Sequence, residues 1–473
     1  MRKHGIRMEM NVGVAQDAPV RLRLRLARSC RAEAGLSLVE LMISVAISLT
    51  ILVALVTVFV NTSRNNAELA RSNSQIENGR FAMQLLQGEL AHAGFWGTHM
   101  PQFDDLTLTS IPGDVPASVP DPCLAYSASN WNSSYRSALL GIAIQTYEAA
   151  PAGCAAVILD QAPNTDVLVL RHAETCLASE GGNCAADTAG ALYFQASQCA
   201  AELVATARTG STSTILNMAA TSSPLDDAYA GATVRILSGT GAGQSRLIAT
   251  YAGATKEATV EAAWTTIPDA TSVYSLDPVI STTGFNLRKR DCATAADKRK
   301  FISTIYYVRN YAANAGDGIP TLVRSRFDLQ GSTLAHPSTV TPLIDGIEGF
   351  RVELGVDNLS DSGVAVNFAQ AVNWASATSL TSPTNRGDGI ADGAFIRCTT
   401  ATPCTVDQLI NVVAVKLYLV ARSRESTPGY TDTKTYTLGS TSWAIPSGSS
   451  AFKRHVYSGS VRMTNISGRR ETP

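Results

Sequence analysis

The sequence predicts an α+β fold. A long N-terminal helix, apolar in its first half and amphipathic in its second, is expected to pack on an antiparallel β-sheet domain that carries an inserted all-β subdomain. Three observations lead there. Residues 36–60 are an unbroken apolar run with a single charge, Glu40. The run passes without a proline into residues 61–94, where apolar and charged positions recur at helical spacing. Beyond Gly97 that periodicity stops, and short apolar runs separated by Ser, Thr, Gly and Ala take over.

Residues 1–35 precede the helix and hold eight Lys+Arg against three acids, a net of +5, which leaves −6 for the rest of a chain whose total is −1. So even a balance excludes a global field for nucleic acid, and no nucleic-acid partner is expected. A basic flank directly before an apolar run is retained in the cytoplasm. Everything after Val60 is therefore expected across the membrane. The 25 residues of 36–60 reach ~37 Å as a helix, enough for a hydrocarbon core of ~30 Å. A carboxylate within such a span costs roughly 2.5–3.5 kcal/mol, so Glu40 calls for a partner.

The second half, 61–94, places Leu69, Ile76, Met83 and Leu90 seven residues apart, with Leu86 between the last two. This spacing predicts one buried face. Arg64, Glu68, Arg71, Glu77 and Arg80 supply the other, and Gly94 a helix end. Within the β-rich remainder, "TDVLVLRH", "FISTIYYVRN" and "VVAVKLYLVARS" read as strands. In the last, Val413, Val415, Leu417 and Leu419 alternate with Ala414, Lys416 and Tyr418, the mark of a sheet with one buried face, and "FKRHVYSGSVRMTN" reads as its neighbour. Residues 201–277 alternate strands with Gly turns, contain no cysteine, and divide the β-rich domain into 95–200 and 278–473. Their "GTGAGQ" has the glycines of a dinucleotide loop, but "SRLIATY" after it reads as a strand where that loop needs a helix.

Nine cysteines are present: Cys30 in the basic flank, and Cys123, Cys154, Cys176, Cys184, Cys199, Cys292, Cys398 and Cys404 beyond the span. An even number in an exported region predicts disulfides, and eight cysteines allow 105 pairings. Cys176 with Cys184 and Cys398 with Cys404 are the simplest local pairs. No CxxC or Cys/His spacing suggests a metal site.

The segment "GLSLVEL" resembles the processing site of type IV prepilins and pseudopilins. That resemblance implies cleavage between Gly35 and Leu36 by a prepilin peptidase and N-methylation of Leu36, with residues 1–35 as a removable leader. Met8 and Met10 are further candidate starts that leave the cleavage site unchanged. Glu40 becomes the fifth mature residue, whose carboxylate meets the new α-amino group on its own or a neighbouring subunit and sets the register of packing. "RSNSQIENGRFAMQLLQGELAHAGFWG", "LIDGIEGFRVELGVD" and "INVVAVKLYLVARS" are similar to the PilW group of minor pilins. The resemblance implies a non-enzymatic subunit of a type IV pilus priming or tip complex, with the major pilin and other minor pilins as partners and the pilus surface as destination. A type II secretion pseudopilin, or a tip adhesin using residues 201–277, are the alternatives.

Other motifs carry less. Asn385, Asp388 and Asp392 in "NRGDGIADG" are weak calcium candidates, since Ca²⁺ accepts six to eight oxygens, but their spacing is not that of an EF-hand and solvated turns share this composition. The Arg386-Gly387-Asp388 triplet is too short to argue adhesion. Six scattered histidines and the absence of GxSxG, HExxH and P-loop patterns speak against an enzyme, and no cofactor is expected.

Overall fold

The computed structural model describes residues 37–182 and 184–471. The leader, Cys30, Gly35 and Leu36 lie outside the described residues. The chain separates into two compact units, Met1–Asn65 and Asn66–Pro473.

In the first unit the described residues after Ser37 belong to α1, which spans Leu38–His92. Every side chain from Leu38 to Val60 is exposed. With that composition this helix is long and apolar enough to cross a membrane. Three hydroxyls of the run are satisfied within the helix: those of Ser44, Thr50 and Thr57 donate to the carbonyls of Leu41 (2.9 Å), Ile47 (2.7 Å) and Val53 (2.8 Å). In hydrocarbon an unpaired hydroxyl would be costly, so this back-bonding suits the setting.

The second unit begins within α1 and is built mainly of antiparallel sheets. Its three-stranded sheet has the spatial order Ile347–Val356, Val412–Arg422, Arg454–Arg462. The middle strand alternates buried and half-buried residues along Val413–Leu419, as its sequence predicts. Val352 faces Leu417, which faces Gly459. The buried side of this sheet meets α1: Met83, Leu86 and Leu90 share one core with Phe350, Val352, Leu354, Val415, Leu417, Leu419, Met463 and Ile466. Burying each large aliphatic side chain contributes ~1.5–3 kcal/mol, so the helix–sheet seam is a principal source of cohesion. A long helix packed on a β domain is the predicted α+β architecture.

The buried stripe of α1 differs from the expected heptad line. It runs Gln75, Gly79, Ala82, Met83, Leu86, Leu90. Leu69 is 62% exposed and Ile76 40%. A strict seven-residue repeat drifts by ~20° per heptad on a straight helix. A helix lying on a sheet keeps to its own 3.6-residue period, so the line that is buried at Met83 and Leu90 has rotated outward at Ile76 and Leu69. Gly94, at φ 74°, adopts the left-handed conformation that turns the chain away from the helix end.

A seven-stranded sheet adjoins this layer. Its main path is Ile144–Tyr147, Val167–Ala173, Lys298–Arg309, Thr321–Arg326, Thr341–Asp345, with Tyr193–Gln195 joining the start of the long strand and pairing with Val279–Ser281. Between Ala205 and Leu276 lies a six-stranded antiparallel sheet, whose own core includes Leu216, Val234, Ile248, Tyr251 and Tyr274. Gly239, Gly241 and Gly243 all have positive φ in the turn between Thr233–Ser238 and Ser245–Ala252. The segment that a dinucleotide loop would require to be helical is a strand.

Candidate functional site

The first structural element of the candidate assembly site is the start of α1. Ser37 and Glu40 hold each other reciprocally: the Ser37 amide donates to Glu40 Oε2 at 3.0 Å, and the Glu40 amide donates to Ser37 Oγ at 3.2 Å. This is a capping box, in which two otherwise unpaired amides of the first turn are satisfied by side chains. The signature is legible as Ser-Leu-Val-Glu, although the charge in an apolar run draws attention from it. A carboxylate in the first turn also opposes the positive end of the helix dipole. Glu40 therefore has a local structural role in addition to any role between subunits.

Further along α1, a set of polar contacts fixes the helix to the sheet at a definite height. Gln75 is buried, and its Nε2 donates to the carbonyls of Ala421 (2.7 Å) and Lys453 (3.2 Å). Asn78 Nδ2 donates to Asp345 O at 3.0 Å. Above them, Lys453 Nζ lies 2.6 Å from Glu68 and Arg71 lies 2.6 Å from Glu425. The Lys453 ammonium holds the Glu68 carboxyl below its ordinary range. Below, Asn465 Nδ2 donates to Ala91 O at 2.9 Å. At Gly79 a side chain would overlap the ring of Tyr457, so the glycine lets the last strand approach the helix closely. Together these contacts make α1 from Glu68 to Ala91 part of the domain and leave its opposite face, with Glu77, Arg80, Phe81 and Gln84, exposed.

Three buried charge clusters hold the sheet ends, and none is visible as a sequence motif. Glu348 bridges Arg422 (3.2 Å) and Arg454 (2.6 Å), and Arg454 also reaches Asp432 at 3.0 Å. Asp166 joins Arg351 (2.9 Å) and Arg397 (2.7 Å). Arg470 joins Asp104 (2.8 Å), Asp357 (3.2 Å) and Asn411 Oδ1 (2.8 Å), tying the final helix to the loop after α1. Charges removed from water in this way need partners, and each has them.

The eight cysteines beyond the apolar run form four disulfides: Cys123–Cys154, Cys176–Cys184, Cys199–Cys292 and Cys398–Cys404. The Cys199–Cys292 bond closes the loop that contains the six-stranded sheet, at a sequence separation of 93. Asn385, Asp388 and Asp392 are engaged separately. Asn385 Oδ1 accepts from Asn373 N (2.9 Å), Asp388 Oδ1 from Ile390 N (2.9 Å), and Asp392 Oδ2 from Asn358 N (2.9 Å) and Leu359 N (2.8 Å). Arg386 is 3% exposed and donates to the carbonyls of Asn367 and Gln370, so the triplet it begins is not displayed.

Residues 305–465 match the family model of the type IV pilus-assembly protein W, PilW. The match covers 161 of the 473 residues. The PilW segment runs from the long strand Lys298–Arg309 into the start of the final helix. It contains the whole three-stranded sheet on which α1 is docked, together with Glu348, Asp432, Arg422 and Arg454. A solved structure, a type IV-like pilin from Thermus thermophilus, is similar at 19% identity over 36% of this chain and 70% of that one, with a TM-score of 0.16 that carries no structural argument. No curated protein matches the chain.

Proposed function

We propose that this chain is a minor pilin of the PilW group, made as a single-pass inner-membrane precursor and built into a type IV pilus as part of a priming or tip complex. The observation that carries the proposal is α1. One continuous helix begins at the Ser37–Glu40 capping box, runs through an exposed apolar stretch, and ends docked on the sheet of the PilW segment. A helix exposed and apolar at one end and integral to a folded domain at the other is suited to serve as anchor in the precursor and as packing core in a filament. Prepilin peptidase cuts after Gly35 and Leu36 is methylated. The α-amino group so created pairs with Glu40 of the same or a neighbouring subunit, each charge relieving the other's desolvation. The domain from Asn66 onward then faces the periplasm and, after assembly, the cell surface.

The test is piliation and location together. Deleting the gene is expected to reduce surface pili strongly, with recovery on complementation, and an epitope on the full-length chain is expected in sheared pili. Normal piliation in the deletion strain, with the tagged chain confined to the inner membrane, would overturn the proposal.

A further inference from the structure

The last strand, Arg454–Arg462, is an edge of the three-stranded sheet. Its pairing with Val412–Arg422 is regular over nine residue pairs, without a bulge. Immediately outside the strand and on the same register, Met463 N donates to Val413 O at 2.8 Å and Ser423 N donates to Lys453 O at 2.9 Å. In an antiparallel ladder hydrogen-bonded pairs alternate, so the odd residues 455–461 bond inward and Val456, Ser458, Ser460 and Arg462 direct their N–H and C=O groups outward. Among the described residues those outward groups of Val456, Ser458 and Ser460 have no hydrogen-bond partner. Natural edges are usually blunted by proline, lysine, a bulge or a covering element. This one has no proline, lysine or bulge, and Ser458 and Ser460 are small and exposed.

The flank of α1 beside this edge is unusual in a matching way. Tyr457 packs at Gly79 and its hydroxyl donates to Ile76 O at 3.3 Å, while Gly459 lies over Met83 and Gln87. Ile76, which has rotated out of the core, therefore lies next to the open edge and is exposed, and Leu69 is exposed seven residues before it. Arg80, one turn on from Ile76, is exposed and has no ion-pair partner among the described residues. An open backbone ladder, an apolar shelf beside it and an uncompensated positive charge define a complementary ligand.

We propose that the Arg454–Arg462 edge accepts an extended strand from a different subunit of the assembly. The added strand extends the three-stranded sheet, sets an apolar side chain over Ile76 and an acidic one toward Arg80, and gains main-chain hydrogen bonds at Val456, Ser458 and Ser460. A second copy of this chain does not fit as the symmetric partner. The strand runs in the same direction as α1, from Lys453 at Glu68 to Asn465 at Ala91. Two such strands paired antiparallel about a twofold axis would point their α1 helices in opposite directions, which copies anchored with one topology in one membrane cannot do. The proposal rests on the pilin reading for the existence of neighbouring subunits, but its test does not require pili.

The experiment is amide hydrogen exchange on the full-length chain, compared between native envelope complexes, whether pili or inner-membrane assemblies, and the same chain dispersed as a monomer in detergent. The expected result is at least tenfold slower exchange at Val456, Ser458 and Ser460 in the complexes, with Tyr457, Gly459 and Val461 protected in both states. Equal exchange at the even positions in both states would overturn the proposal, wherever the chain resides. As a second measure, Ser460→Pro removes only an outward N–H, a change edge strands tolerate. It is expected to reduce recovery of the chain in complexes at least tenfold while Ser460→Ala does not. Efficient disulfide-linked homodimers from Ser460→Cys would overturn the choice of a different subunit as occupant.

Discussion

Glu40→Gln separates the cap seen at the start of α1 from the charge pairing proposed there. In the wild-type chain the carboxylate accepts the Ser37 amide at 3.0 Å and the Glu40 amide donates to Ser37 Oγ at 3.2 Å. Glutamine keeps an acceptor oxygen in the same place, so the loss to the cap is a fraction of the ~0.5–2 kcal/mol that a whole cap contributes. The pairing with an α-amino group on Leu36 is a different quantity. Opposite unit charges ~4 Å apart attract by about 4 kcal/mol at an effective dielectric near 20, and the amide has no charge to contribute. Replacing the carboxylate also removes its insertion cost of roughly 2.5–3.5 kcal/mol. Glu40→Gln is therefore expected to insert and be processed at least as well as wild type but to enter pili less, by roughly ten- to a thousand-fold. The assay is a quantitative immunoblot of sheared pili against the membrane fraction, with intact-mass measurement of processing. Glu40→Val, which loses the acceptor for the Ser37 amide as well as the charge, is expected to be as defective or worse. Wild-type incorporation of Glu40→Gln beside a defective Glu40→Val would refute the charge pairing and leave the cap as the residue's role.

Three further outcomes follow from buried chemistry. Glu348→Ala leaves Arg422 without its carboxylate partner and Arg454 with Asp432 alone in a dry site, and is expected to cost about 3–5 kcal/mol. Urea unfolding of the detergent-solubilised chain, followed by tryptophan fluorescence, measures it, and a loss below ~1 kcal/mol would count against the network. Asp114 Oδ1 is shut off from solvent without a hydrogen-bond partner, and burial pushes its carboxyl up to about 7 against the opposing pull of Arg235. Since the folded state then holds a proton that the unfolded state releases near its ordinary range of ~4, stability is expected to fall as pH rises from about 4 to about 7, and Asp114→Asn is expected to flatten that dependence. Removing Cys199–Cys292 by paired serine substitution opens a loop with a sequence separation of 93 and is expected to cost about 4–5 kcal/mol on the chain-entropy account, against ~3 for a loop of fifteen residues. Differential unfolding against the Cys176–Cys184 pair, with its separation of 8, checks the ordering.

What the sequence made legible was mostly local. Val413, Val415, Leu417 and Leu419 announce a half-buried strand because a period of two leaves little alternative over that length. The expectation of one stripe through Leu69, Ile76, Met83 and Leu90 held for Met83 and Leu90 and failed at Ile76 and Leu69. A heptad count assumes a partner that winds with the helix, and a sheet does not. Two disulfides join neighbouring cysteines and follow from proximity, whereas Cys123–Cys154 and Cys199–Cys292 depend on how loops fold back. The charge clusters were beyond reach altogether. Asp104, Asp357 and Arg470 meet only after three distant segments have come together, and nothing in their immediate neighbours marks them. The capping box was readable from Ser37 and Glu40 alone, a reminder that an unusual charge can serve its own helix as well as its neighbours.

The central claim is that Leu36 is the first residue of the mature subunit and that α1, which follows it, is the assembling element. Intact-mass and N-terminal peptide measurement of the chain purified from cells tests it most directly. The account predicts a chain beginning at an N-methylated Leu36 in wild-type cells, and one retaining residues before Gly35 in cells that lack prepilin peptidase. A mature chain that keeps its leader in wild-type cells, or begins elsewhere, would contradict it.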